Sequence, residues 1–165
     1  VILDGLHTTM KYLAIDLGDR RTGLAVGDLA TGMALPLEVV TLDIRAGGGE
    51  ALLAALVERV KEHAPAGLVV GLPLNMDGTE GPRARGVRQF ADQLARRTGL
   101  PLHFQDERLT TAEADWRMAR TGMTRAQKKD RRDALAAAAL LADYLAARRG
   151  DDPGAAGASN PGPGA

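Results

Sequence analysis

Asp16 closes an apolar run, Tyr12–Ile15, and a tight polar turn with Gly18 separates it from a second run, Thr22–Val26. Asp106 and Glu107 close a later short run, and Asp133 opens an alanine- and leucine-rich stretch. In an open α/β sheet, ligands sit beyond the carboxyl ends of the parallel strands, so acids at the tips of the first and last strands can meet at one rim. On a helix Asp133 shares a face with Ala137, Leu140, Leu141 and Tyr144, and that face is the apolar one. A carboxylate aimed at a core costs roughly several kcal/mol unless a charge meets it; an arginine or a shared divalent cation would serve. The chain has no cysteine, and its three histidines show no metal-ligand spacing. Oxygen-only ligands favour Mg²⁺ or Mn²⁺ over zinc. Two such ions about 3.5–4 Å apart can activate water and stabilise the leaving oxygen of a phosphodiester.

Each acid also has an ordinary role. Asp16 suits a turn residue, Glu107 beside Arg108 suits a surface ion pair, and Asp133 suits a helix N-terminus if the helix starts near Lys129. Strand alternation alone does not separate Asp106 from Glu107. Asp130 is either an auxiliary ligand or a balance for Lys128, Lys129, Arg131 and Arg132. The joint placement of Asp16, Glu107 and Asp133 on element ends is what points to a metal-dependent nuclease site.

Charge is zero overall but polarised. Residues 1–80 hold 6 Lys/Arg against 11 Asp/Glu, and residues 81–149 hold 15 against 8. Such polarity permits a polyanion partner. Arg117–Arg132 holds seven basic residues and one acid, with no aromatic nearby except Trp116. It suits phosphate-backbone contact rather than base stacking, or else a solvated face. Arg21 could hold a phosphate beside the metals or pair with Asp19 or Asp28. Arg108 could do likewise or orient Glu107. Thr110 and Thr111 could bind phosphate at a helix N-terminus, though Thr110 with Glu113 also forms a capping box. Gly18 and Gly23 read as serving backbone geometry.

The elements that must position these groups are legible from period and punctuation. Strands are expected at Lys11–Asp16, Thr22–Asp28, Leu37–Leu42, Leu68–Gly71 and Leu102–Asp106, with Leu29–Pro36 as a loop. Helices are expected at Glu50–His63, from Pro82 to the stop at Gly99, from Thr110 to near Gly122, and from the Thr124/Gln127 capping box to about Arg149. Asp77 and Gly78 fall in a turn that should border the rim. The opening hairpin pairs antiparallel, and the strand–helix–strand unit pairs parallel through a right-handed crossover. The result is a mixed five-stranded α/β sheet, three antiparallel strands and then two parallel, flanked by helices. Residues 1–9 are expected to lie outside the fold, residues 10–149 to form one domain, and residues 150–165, rich in Gly, Pro and Ala, to be a disordered tail. Apolar residues are 45% and aromatics 3%, so the core must be Ala, Leu and Val. With no membrane-length apolar run and no evident signal peptide, a cytoplasmic protein is the default expectation.

DLGDRRTGLAVGD, GLPLNMDGTEG, DERLTT and RDALAAAALLADYL resemble, in order and spacing, the YqgF/RuvX family over about Met10–Arg149. The resemblance implies an RNase H-like fold. It also implies a nuclease that matures the 5′ end of pre-16S rRNA or, alternatively, resolves Holliday junctions in DNA recombination and repair. Asp16, Glu107 and Asp133 become its catalytic metal-binding acids. The related RuvC resolvases place an acid at the tip of the fourth strand, where this chain has Gly71, Leu72 and Pro73. The acids of the DER motif would have to take that role. Partners would be structured RNA or branched DNA, with no membrane. A junction substrate would call for two active sites and hence a homodimer. Actin-like ATPases share a D-x-G phosphate loop after a strand, but this chain shows no second such loop after a convincing strand. A non-catalytic nucleic-acid module would not need the intact acidic set.

Overall fold

The computed structural model describes residues 10–109 and 124–151. The expected extension 1–9, the helix expected from Thr110, Thr110 and Thr111 themselves, and the tail beyond 151 lie outside the described residues.

Strands β1 (Lys11–Leu17) and β2 (Thr22–Asp28) pair antiparallel, with Asp16 opposite Gly23. The turn between them closes where the Gly18 N–H donates to the Arg21 carbonyl at 3.0 Å. β3 (Ala34–Val40) pairs antiparallel with β2, whereas β4 (Gly67–Leu72) and β5 (Leu102–Asp106) extend the sheet in parallel from β1. The order is β3-β2-β1-β4-β5.

β3 starts three residues before the expected Leu37, and Ala34–Pro36, expected in a loop, belong to it. Proline ordinarily ends a strand because it cannot donate to the ladder. Here β3 is an edge strand, Pro36 stands opposite Ala25, and the register shifts between Leu24 and Ala25. An edge and a bulge are the two places where a strand accepts proline.

Side-chain alternation along β1 divides two cores. Leu13, Ile15 and Leu17 join the buried layer under α1 (Glu50–His63) and α2 (Pro82–Thr98). Tyr12 and Ala14 join the layer under α3 (Arg125–Gly150), and by the same alternation Asp16 turns to that side. β4 is buried at every position, as its unbroken apolar run predicts for a central parallel strand. α2 ends at Gly99, whose φ of 71° is the left-handed closure that glycine adopts readily. α3 opens with the expected Thr124/Gln127 capping box.

α3 lies unusually close to β2. Gly23, Ala25 and Gly27 form a nearly smooth track on the strand face it covers. A Cβ at Gly23 would fall 2.9 Å from the Ala134 backbone nitrogen and closer still to the Asp133 carbonyl group. One at Gly27 would fall 2.8 Å from methyls of Leu141 and Leu145. Gly23 thus serves helix approach rather than a special φ. Among the described residues, no helix is long and apolar enough to cross a membrane.

Candidate active site

The three strand and helix ends that carry the expected acids converge. Asp16 projects from the end of β1 toward α3. Glu107 follows β5 directly, in a short 3-10 turn, Glu107–Leu109. Its side chain folds back over β4, so that a Cβ on Gly71 would fall 2.9 Å from the Glu107 Cγ and 2.6 Å from a Leu140 methyl. The missing side chain at Gly71 is what admits Glu107 to the rim. A carboxylate from the end of the fifth strand occupies space above the fourth.

Geometry separates the two acids that strand alternation could not. Asp106 is held by Arg108, whose Nε and Nη2 donate to it at 2.9 and 2.6 Å and whose backbone N–H adds a bond at 2.9 Å. That side-chain bonding holds the Asp106 carboxyl below its ordinary range. Glu107 faces Asp16 instead. Burial, then the Asp16 charge and the hydrogen bond to Asp16, push its carboxyl up to about 8. Asp16 is raised too, first by burial and also by the Asp133 charge; the hydrogen bond from Glu107 and the positive charge of Arg83 pull the other way. Near neutral pH the two carboxyls therefore share a proton, with Glu107 donating to Asp16.

Asp133 lies within electrostatic reach of Asp16, but its Oδ2 accepts from Arg21 Nε at 2.7 Å. Arg21 Nη2 also donates to the Lys129 carbonyl at 3.1 Å. The expected partners of Arg21, Asp19 and Asp28, are not the ones these bonds use. Of the three expected acids, Asp133 is thus matched by a guanidinium, while Asp16 and Glu107 meet each other. Among the described residues, no three acidic or imidazole side chains stand ready-grouped to hold a metal ion.

The donor set nevertheless fits a hard cation. Two partly buried carboxyls that must share a proton offer a place where a divalent ion can replace that proton. Asp133 can complete the set by giving up or sharing Arg21. The shifted carboxyls also have a stability consequence. Glu107 binds its proton more tightly folded than unfolded, so its contribution is fully present below about pH 4.5 and is lost as pH climbs through about 8. In EDTA the melting temperature should therefore fall by a few degrees, roughly, between about pH 6 and pH 9. Mn²⁺ should raise it more at the higher pH. Differential scanning fluorimetry across that range, with Asp16→Asn as the control that flattens the profile, checks both.

Other expected residues fall into place around this centre. Besides holding Asp106, Arg108 donates from Nη1 to the Met76 carbonyl at 3.2 Å. It pins the Asp77–Gly78 turn to the end of β5, a structural task rather than a free cation at the rim. Within that turn Asp77 accepts from the Thr79 N–H and hydroxyl at 3.0 and 2.6 Å. Lys128, Lys129, Arg131 and Arg132 occupy the first two turns of α3, directly before Asp133, and Lys129, Arg131 and Arg132 are exposed there. Asp130 lies on the same helix, and its side chain is outside the described residues. Sequence reasoning missed Arg83. Its charge acts on both Asp16 and Glu107, yet it sits beside Arg85 in a helical first turn and reads as an ordinary solvated residue. Its place one residue after Pro82, next to the loop expected at the rim, was the available signal.

Comparison with known proteins adds a lineage to this geometry. A family model, RuvX, described as Holliday junction resolvase, matches residues 10–147. A protein of Anaeromyxobacter sp. (strain Fw109-5), named as a candidate pre-16S rRNA nuclease, is 45% identical over 139 residues, spanning 84% of this chain and 98% of its own. A Myxococcus xanthus (strain DK1622) protein of the same name is 39% identical over 143 residues, 87% of this chain and 92% of its own. Among solved structures, T. thermophilus RuvC in complex with Holliday junction substrate superposes with a TM-score of 0.57 at 21% identity, covering 86% of this chain and 97% of that one. That likeness establishes a RuvC-like, RNase H-type fold.

Proposed function

The chain belongs to the RuvX family, and from that premise we propose that it is a divalent-metal-dependent nuclease that hydrolyses phosphodiester bonds in structured nucleic acid, maturing the 5′ end of pre-16S rRNA. The observation that carries the reading is the meeting of Asp16 and Glu107, from the ends of β1 and β5, as two hydrogen-bonded carboxyls at the sheet rim. Asp16, Glu107 and Asp133 would hold Mg²⁺ or Mn²⁺, two ions in the full complement. When bound, such ions supply an activated water and charge stabilisation for the departing oxygen.

The chain's own groups prepare the rest. Glu107 must lose its proton before both carboxylates can act as ligands, so activity should rise with pH, and more Mn²⁺ should bring that rise to lower pH. Arg21, held between Asp133 and the Lys129 carbonyl, is fixed beside the acids and can meet a phosphate oxygen there. The exposed cations at the start of α3 extend that positive surface along a sugar–phosphate backbone and carry no base preference. Burial of Asp16 limits water around the reacting group and strengthens each of these charges.

The family description favours a second substrate, a four-way DNA junction, on which paired sites in a homodimer would cut both strands. Cleavage of a four-way junction and a pre-16S rRNA fragment side by side, with and without Mn²⁺, tests the proposal. The expected result is Mn²⁺-dependent cutting of the RNA. Cutting of the junction alone would transfer the activity to DNA, and binding without any cutting would replace the nuclease with an adaptor.

A further inference from the structure

A cleft of about 530 Å³ opens on the other side of the sheet rim from the carboxyls, between the tip of β1, the loop around Arg45 and Gly48, and the first half of α2. Resting on the nuclease reading above, we propose that this cleft is the subsite for one unpaired nucleotide next to the scissile bond.

Three observations carry the assignment. The cleft and the carboxyl pair share one strand end: Asp16 turns toward α3, and Leu17, the next residue, lines the cleft. Arg83 lines the cleft as well, and its charge reaches both Asp16 and Glu107. It therefore belongs to the cleft and lies within electrostatic range of the carboxyls, so one cation can serve both a reacting phosphate and its neighbour. The lining is also of mixed character. Val87 and Phe90 give a buried apolar floor, and Arg45, Arg83, Gln89 and Gln93 give a cationic and amide rim. An apolar floor with a few polar groups suits a base and its sugar, and the volume falls within the usual range of about 300–1,000 Å³ for small-ligand sites. A stacked, paired nucleotide cannot enter such a space; one at a loop or a strand end can be splayed into it.

The walls are tied to one another. The Ile44 N–H donates to the Asp19 carbonyl at 3.0 Å, tying the loop to the β1–β2 turn. Arg45 pairs with Asp19 across the same gap at 3.5 Å. Gly49, at φ 83°, lies against the Phe90 ring, where a Cβ would come within 3.1 Å. Gly86 lies on the open wall, and a Cβ there would meet nothing within 4 Å.

Gly86→Leu therefore projects into the cleft from its exposed wall, and a helical leucine in place of glycine favours folding. The test is fluorescence anisotropy on the full chain, with Ca²⁺ replacing Mg²⁺. The probes are a labelled single-stranded RNA hexamer, the DNA hexamer of the same sequence, and the blunt RNA duplex. Gly86→Leu should weaken hexamer binding about tenfold, and Arg45→Ala about threefold, with duplex binding within about twofold of wild type. Loss confined to the RNA hexamer assigns the subsite to RNA; loss on both assigns it to an unpaired nucleotide of either polymer. Unchanged hexamer binding in Gly86→Leu, or equal losses on hexamer and duplex, overturns the subsite while wild-type cleavage leaves the nuclease reading standing. A wild-type chain that never cuts with Mn²⁺ removes that reading and this assignment with it.

Discussion

Asp16→Asn should lower Mn²⁺-dependent cleavage by at least about a thousandfold and leave the fold intact. The asparagine keeps the size of the side chain but loses the negative charge on which a shared cation depends. Folding should not suffer, because Asp16 is a burden to the metal-free protein. It is buried and it feels the Asp133 charge, and its carboxyl is raised as a result. Removing its charge relieves Glu107, whose elevation to about 8 owes more to the Asp16 charge than to any other neighbouring charge, after burial itself. The variant should melt at the wild-type temperature near pH 6 and above it near pH 9 in EDTA. Single-turnover cleavage and thermal melts on the same preparation read both halves. Cleavage within tenfold of wild type would remove Asp16 from the site; a large loss of melting temperature at neutral pH would give it a structural role instead.

Gly23→Ala is expected to cost about 3 kcal/mol or more of stability, far beyond what one methyl costs at an ordinary buried site. The methyl would collide with the main chain of α3 at Asp133 and Ala134, and a main chain cannot rotate away as a side chain can. Relief requires lifting the helix from β2. That movement would draw Asp133 and the Lys129 carbonyl away from Arg21. Chemical denaturation should show the loss, and any folded remainder should be inactive. Wild-type stability would mean that the helix packs more loosely than described.

Much of this was legible in advance. The bounds of β2, β5 and α1 follow from period and punctuation alone, because each begins and ends on a charge, glycine or proline that interrupts an apolar pattern. The start of β3 was not, since Pro36 carries the local meaning of a break and only its edge position neutralises that meaning. Site residues divide in the same way. The placement of Asp16, Glu107 and Asp133 near one rim could be anticipated because each ends an element or interrupts an apolar face. The partner of Arg21 could not: it lies 112 positions away, and Asp19 and Asp28 were nearer along the chain. The choice of Glu107 over Asp106 needed the gap above Gly71, which is a property of three strands together. Arg83 needed the path of α2 over the rim.

One further consequence comes from the order of the parts. The first acid emerges from the ribosome early, on β1, whereas the helix that brings Asp133 comes last among the described elements, and it covers the sheet face bearing Tyr12, Ala14 and Val69. A nascent chain halted before that helix has an uncovered greasy surface and an incomplete centre at once. Covering of that surface and completion of the proposed centre therefore depend on one and the same helix.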